Sequence, residues 1–248
     1  MTTRPRHRLE GILRHVGSAA AAAAAVSNAR DAADSLFSAS SDTRPAGMDH
    51  AAQRLKGKVC VVIGASSQVR DDISIGKATA IQFAREGAQV IAVARSQDGL
   101  DLAVAACAAE GGLCDSVACD ATDVEAVKAM IATVIERYGR IDVLHHNLGG
   151  GGGNGTADST EEDWEFGMKL NAFSPFICMK YALPHMVENG GGVITTTSSI
   201  MGSRALVGRP NVPYQMSKAA LESLTWSTAA EYASSGIRVN CISPGLIW

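Results

Sequence analysis

From residue 58 onward the sequence predicts an α/β domain built on a doubly wound parallel sheet. Three observations predict it. Six short apolar runs alternate with stretches of helical periodicity. A Gly-containing turn, Gly64-Ala65-Ser66-Ser67, stands between the first run and the first helical stretch. A β-branched run, Val193 to Thr197, leads through paired serines to a helical pattern opened by Tyr214, with Lys218 one turn on. Strands alternating with helices at this spacing form right-handed βαβ units, and their parallel sheet is covered on both faces.

The elements follow in order. Val59 to Ile63 reads as a first apolar strand and Ile75 to Arg85 as a helix that Gly87 ends. Val90 to Val93 is a second strand, Leu100 to Ala109 a helix, and Ser116 to Cys119 a third strand. Val124 to Tyr138 is amphipathic, with Val127, Ile131, Val134 and Ile135 on one side. Ile141 to Leu144 is a fourth strand. Trp164 to Val187 reads as one long helix, with Pro175 and Pro184 inside it as points of breaking or bending. Val193 to Thr197 is the fifth strand, Tyr214 to Ala233 a helix, and Ile237 to Ile242 the sixth strand.

Composition narrows the function classes. The chain has 248 residues, enough for one sizeable domain plus an extension, with 46% hydrophobic residues and a net charge of −3. No basic run interleaves with aromatics, so a nucleic-acid partner is not expected. No apolar run reaches the roughly 18 residues a bilayer requires, so no membrane partner is expected either. The six cysteines are scattered without a C-x-x-C pair; they read as buried reduced thiols, and no metal site is expected.

Residues 1–55 differ in kind. An Arg-rich start is followed by an Ala run, Ala19 to Ala25, and acidic residues are scarce before Asp31. A disordered or part-helical tail, a misassigned start with Met48 as initiator, and an organelle transit peptide all fit this composition. The expected location is the cytoplasm, or a mitochondrion or plastid if the segment is a transit peptide.

Ligands of such sheets bind beyond the strand C-termini. A Gly-rich turn before a helix lets backbone N–H groups approach a pyrophosphate. Here the turn carries extra residues, including Arg70, Asp71 and Asp72. A βα loop with a polar insertion is the competing reading. After the second strand the acid that would grip a ribose hydroxyl is missing and Arg95 is present, which suits a 2′-phosphate. A solvated helix-start Arg is the alternative. Tyr214 and Lys218 share a helix face. A free phenol titrates near pH 10, about three units too high for neutral proton transfer, and a neighbouring cation lowers it. One Tyr-x-x-x-Lys by itself carries little weight.

Taken together, Gly57 to Gly245 resembles the short-chain dehydrogenase/reductase family. The markers arrive in that family's order: the Gly turn, Cys119-Asp120 after the third strand, His146-Asn147-Leu148-Gly149 after the fourth, Asn171, Ser199, Tyr214 with Lys218, and Pro244-Gly245 after the sixth. The resemblance implies a Rossmann-like fold over residues 56–248 and an NADP(H)-dependent enzyme, NAD being the less favoured cofactor. Its substrate would be a small carbonyl or alcohol, a secondary alcohol and a ketone being interconverted.

It also implies roles. Tyr214 would be the acid or base, and Ser199, rather than Ser198, the donor to the substrate oxygen. Lys218 would lower the Tyr214 pKa and bind the nicotinamide ribose, and Asn171 would hold a water in a proton relay. A polar residue satisfied in a helix kink is the other reading of Asn171. Gly64, Ser66, Ser67, Ile75 and Gly76 would carry the pyrophosphate side and Arg95 the 2′-phosphate. Asp120, Asn147 and Gly149 would lie on the adenosine side, and Pro244 and Gly245 on the nicotinamide side. A homodimer or homotetramer through the long helices is implied as well.

Three departures stand against the family pattern. The turn is about six residues longer than usual, with Ser74 at a usual Gly position and Arg70 as a supplementary phosphate partner. His146 replaces the first Asn of N-N-x-G, and a glycine run, Gly149 to Gly153, follows and reads as a flexible segment beside the site. His145 and His146 should face opposite ways on a strand. The third departure is at Trp248, where the sequence stops three residues past Gly245. The expected domain therefore lacks the last strand and the substrate-loop region, leaving the sixth strand as an exposed edge. Two rivals are a catalytically silent dinucleotide-binding or scaffold protein and a nucleotide-sugar epimerase or dehydratase.

Overall fold

The structure is a computed structural model that describes residues 53–66 and 74–245. The expectations for residues 1–52, for Ser67 and Arg70 to Asp72, and for Leu246 to Trp248 lie outside the described residues. The elements run β1 (Val59–Ile63), α1 (Ile75–Arg85), β2 (Gln89–Ala94), α2 (Gln97–Ala109), β3 (Leu113–Ala118), α3 (Val124–Tyr138), β4 (Val143–His146), α4 (Glu161–Met168), α5 (Ser174–Glu188), β5 (Gly192–Thr197), α6 (Val212–Tyr232) and β6 (Ile237–Ile242). The six strands lie in the order β3-β2-β1-β4-β5-β6, all parallel. The chain starts in the middle and reverses direction between β3 and β4. That places the switch point between β1 and β4, where open parallel sheets bind ligands.

Alternation along β1 explains the two-sided cover. Val59, Val61 and Ile63 enter the core under α3 and α5, and Cys60 and Val62 enter the core under α1 and α2. A central strand buried on both sides must be apolar throughout, which is why VCVVI has no polar position. At the edge, β6 buries Ile237 and Val239 and exposes Arg238, Asn240 and Ile242.

Apart from shifts of one to three residues at the ends of β2, α2, β5 and α6, three elements differ from the sequence reading. β3 starts at Leu113, because its ladder runs from Gln89↔Leu113 to Ala94↔Ala118. β4 is shifted two residues, pairing Cys60 with Val143 and Ile63 with His146, which puts two histidines into a buried strand. The single long helix is three pieces: α4, a π-helical turn over Lys169–Phe173, and α5. Pro175 lies in the first turn of α5 and has no N–H for an i→i−4 bond, so the ladder widens there. Among the described residues no helix is long and apolar enough to cross a membrane.

Candidate active site

The site forms at the C-terminal ends of β1, β4 and β5. Gly64 follows β1 with φ +81, and a Cβ there would lie 2.9 Å from the Leu148 amide nitrogen. A Cβ at Gly76 would lie 2.0 Å from the Gly64 carbonyl oxygen. Both positions must be glycine for the turn and the start of α1 to interlock this closely. Ser74, at the usual Gly position, caps α1: its hydroxyl accepts from Lys77 N at 3.2 Å and donates to Ser66 O at 3.1 Å. The extra residues of the turn therefore end in an ordinary N-cap.

A cavity of about 780 Å³ opens beside this turn, lined by Gly64, Ser66, Ser74, Arg95, Cys119 and Asn147 among others. Arg95 is exposed at its rim. Asp120 sits between Cys119 and Ala121, both of which line the cavity. Its carboxylate accepts from Thr122 N at 2.9 Å and Thr122 Oγ1 at 2.8 Å. The Thr122 amide, seconded by the Thr122 hydroxyl and the charges of Arg95 and Lys169, holds its pKa below the usual carboxylate range against the opposing effect of burial.

A second cavity of about 290 Å³ is lined by Ile75, Ser199, Tyr214, Lys218, Pro244 and Gly245, with Thr197 and Ser198 behind. Asn147 and Gly149 line both cavities, so the two form one trough. The sequence expectations from four separate loops thus meet in one place.

Helix α6 delivers Tyr214 and Lys218. It starts two residues before Tyr214, because Asn211 caps it by accepting from Tyr214 N and Pro213 sits in the first turn. Lys218 is 2% exposed and donates to Thr197 O at 2.8 Å. Burial pushes its pKa down to about 8. Its Nζ lies 5.7 Å from the Tyr214 ring centroid.

The two serines separate cleanly. Ser198 is buried and donates to Glu222 Oε1 at 2.9 Å, with Lys218 O at 3.3 Å. Among the described residues Ser199 only accepts, from Met201 N at 3.2 Å, at the head of a short 3-10 turn. A hydroxyl that accepts one bond still has a proton to donate, so Ser199 is the one free to serve a ligand oxygen.

Asn171 lies fully buried in the π-helical turn. Its Oδ1 accepts from Gly150 N at 3.1 Å, and its Nδ2 donates to Gly150 O at 2.7 Å, with Gly167 O and Ser217 Oγ also in reach. The side-chain amide is thus engaged in holding backbone. The glycine run is tied down at Gly150 and packs on the site: a Cβ at Gly149 would lie 2.8 Å from Lys218 Nζ, and one at Gly151 3.0 Å from the Tyr214 ring.

His145 and His146 do face opposite ways, the first toward Thr195 (2.7 Å) and the second toward Ser174 (2.9 Å). Among the described residues no cluster of His, Cys, Asp or Glu could hold a metal. Thr197, Ser217 and Glu222 were not legible as site residues. Each acts through a hydrogen bond to a partner about 20 or more residues away, for which local sequence carries no signal.

A family model described as Enoyl-(Acyl carrier protein) reductase matches residues 69–248. The chain is 37% identical over 194 residues to the 3-oxoacyl-[acyl-carrier-protein] reductase FabG of Thermotoga maritima, covering 78% of this chain and 76% of that one. It is 37% identical over 199 residues to the 7alpha-hydroxysteroid dehydrogenase of Clostridium sardiniense, covering 79% and 72%. The crystal structure of a short chain dehydrogenase from Mycobacterium smegmatis superposes with a TM-score of 0.73 at 32% identity, covering 80% of each chain. The chain spans 66% to 76% of the length of its first curated relatives.

Proposed function

Since the chain belongs to the short-chain dehydrogenase/reductase family and is an oxidoreductase acting on CH–OH groups, we propose that it interconverts a secondary alcohol and a ketone with NADP(H), and that Tyr214 is its acid and base. The observation that carries the proposal is the company Tyr214 keeps: a buried lysine one turn away and a serine hydroxyl with a free proton, both lining the same cavity.

The residues fit a dinucleotide. Gly64 and Gly76 let the turn and the start of α1 interlock beside the first cavity, and the buried Asn147 Oδ1 and Thr197 Oγ1, both on the trough, lack a partner among the described residues. Arg95 at the rim supports NADP(H) over NAD(H), since a guanidinium pairs with a phosphate in a fork. When bound, the nicotinamide supplies or accepts the hydride.

The chain's own residues do the rest. Ser199 donates to the ketone oxygen and stabilises its developing charge. Tyr214 delivers a proton to the same oxygen. The Lys218 ammonium favours the phenolate left behind. Asn171 holds Gly150, and with it Gly149, against Lys218. In alcohol oxidation the same groups act in reverse, with Tyr214 as base. Exposed Trp164 and Phe166 on α4, Phe173 in the π-helical turn, Phe176 on α5 and Trp226 on α6 support a homodimer or homotetramer through these helices.

The test is NADPH and NADH consumption against a panel of 3-oxoacyl thioesters, keto-steroids and simple ketones, with product analysis. NADPH-dependent formation of the alcohol is expected. Nucleotide binding without turnover on any member of the panel would overturn the enzymatic reading.

A further inference from the structure

We propose that Glu222 is a positioning residue that fastens the two loops of the second cavity to the helix carrying Tyr214 and Lys218. The inference rests on reading that trough as the site of cofactor and substrate.

Glu222 lies on α6 one turn beyond Lys218 and two beyond Tyr214, on the same face. It is 8% exposed. One oxygen, Oε1, accepts two hydroxyl protons, from Ser198 at 2.9 Å and from Ser243 at 3.1 Å. Ser198 immediately precedes Ser199, and Ser243 immediately precedes Pro244-Gly245. A single buried atom therefore gathers the loop after β5, the loop after β6 and the helix.

The neighbourhood is built around this contact. Ser198 N donates to Ile242 O at 2.7 Å and Ile200 N to Pro244 O at 3.0 Å, so the two loops are also stitched to each other. A Cβ at Gly202 would lie 2.8 Å from Glu222 Oε1 and 2.9 Å from Ser198 Oγ. The 3-10 turn that accepts the Ser199 cap can thus close over the carboxyl group only because residue 202 is glycine. Burying a carboxyl group is costly unless its oxygens are bonded, and here the bonds go to the two loops. Both loops line the 290 Å³ cavity and neither lines the 780 Å³ one. Loosening the tether should therefore disturb the Tyr214 end of the trough and leave the Arg95 end alone.

The test compares Glu222→Ala, Glu222→Gln and Ser243→Ala in the full chain. Amide hydrogen exchange is read at Ser198 and Ile200, and binding is titrated with NADPH and with 2′-phospho-ADP-ribose, which lacks the nicotinamide. Glu222→Ala should speed exchange at both amides and weaken NADPH about tenfold, the scale of a site displaced by a fraction of an ångström. Binding of 2′-phospho-ADP-ribose should stay within about twofold on the same scale. Glu222→Gln keeps an oxygen that accepts both protons and should restore both readouts. Ser243→Ala, at an exposed position, cuts one arm without threatening the fold and should fall between. Equal weakening of both nucleotides, with a lower melting temperature and unchanged amides, would reduce Glu222 to general support and overturn the proposal. If the native chain bound neither nucleotide, the reading of the trough would fail, and unchanged exchange at Ser198 and Ile200 in Glu222→Ala would then defeat the tether independently.

Discussion

The two ends of the sheet are built on opposite terms. At the N-terminal ends of β1 and β4, Asp142 is 7% exposed and its carboxylate is surrounded by donors. Val59 N (2.9 Å) and Arg140 Nε (2.8 Å) reach Oδ2, and Lys58 Nζ (3.2 Å) and Arg140 Nη2 (2.5 Å) reach Oδ1. Burial works against the charge, but Arg140, the Val59 amide and Lys58 outweigh it and hold the pKa below the usual range. At the C-terminal ends of β4 and β5 the balance inverts. His145 Nε2, His146 Nδ1, Asn147 Oδ1 and Thr197 Oγ1 are buried without a partner among the described residues. A buried polar atom without a bond costs stability. One end of the sheet therefore contributes to holding the fold, while the other gives up stability and, at Asn147 Oδ1 and Thr197 Oγ1, leaves unbonded acceptors on residues that line the cavities.

Damage at the two ends should read out in different measurements. The largest effect is expected at the ligand end. Tyr214→Phe should lower kcat at least about a hundredfold, the scale of a positioned acid/base, while NADPH affinity and melting temperature stay near native. Retained turnover would leave Tyr214 a structural residue.

At the opposite end, Asp142→Ala should cost about 2 kcal/mol in urea unfolding, the scale of lost charge-assisted hydrogen bonds, with kcat per folded molecule unchanged. A comparable loss of kcat would dissolve the contrast between the ends.

Arg95→Asp sharpens the comparison within the ligand end. It should move the ratio of NADPH to NADH affinity about tenfold toward NADH, worth about 1.4 kcal/mol, without changing kcat for either saturated cofactor. An unmoved ratio would remove Arg95 as the phosphate partner.

The smallest effect concerns pH. Burial pushes His145 down to about 4, and burial followed by the Lys218 charge pushes His146 down to about 3. Both are neutral in the folded chain, whereas the unfolded chain binds their protons from about pH 6.5 downward. Their contribution is thus complete above pH 6.5 and is lost as pH falls toward 4. His146→Asn should reduce the stability lost between pH 7 and 5.5 by about 1 kcal/mol, the amount one such proton supplies over a pH unit. Parallel curves for variant and native chain would show that acid sensitivity arises elsewhere.

Much of the fold was legible because its signals are local. Val59–Ile63, Ile75–Arg85, Val124–Tyr138 and Ile237–Ile242 have the bounds that periodicity and turn residues indicate. The boundaries that moved did so for reasons outside the segment. β4 slid two residues because β1 pairs with it that way, and the long helix gained a π-helical turn just before Pro175. In the site, Tyr214, Lys218, Ser199, Pro244 and Gly245 were all named from their order and now line one cavity. Ser74 read as a deviation and serves as a cap, and the glycine run read as flexible but is fastened by Asn171.

By itself, then, the sequence determined the succession of strands and helices, the parallel sheet that succession forces, and which residue types arrive at the strand C-termini. Those features depend on side-chain period and local turn chemistry, which neighbouring residues carry. Only the tertiary structure decided what Ser198 is bonded to, what Asn171 holds, and that Glu222 joins two loops. Each of those outcomes is a hydrogen bond between residues about 20 or more apart in the chain. Strand register and helix placement decide such bonds, and neither is written at the positions that make them.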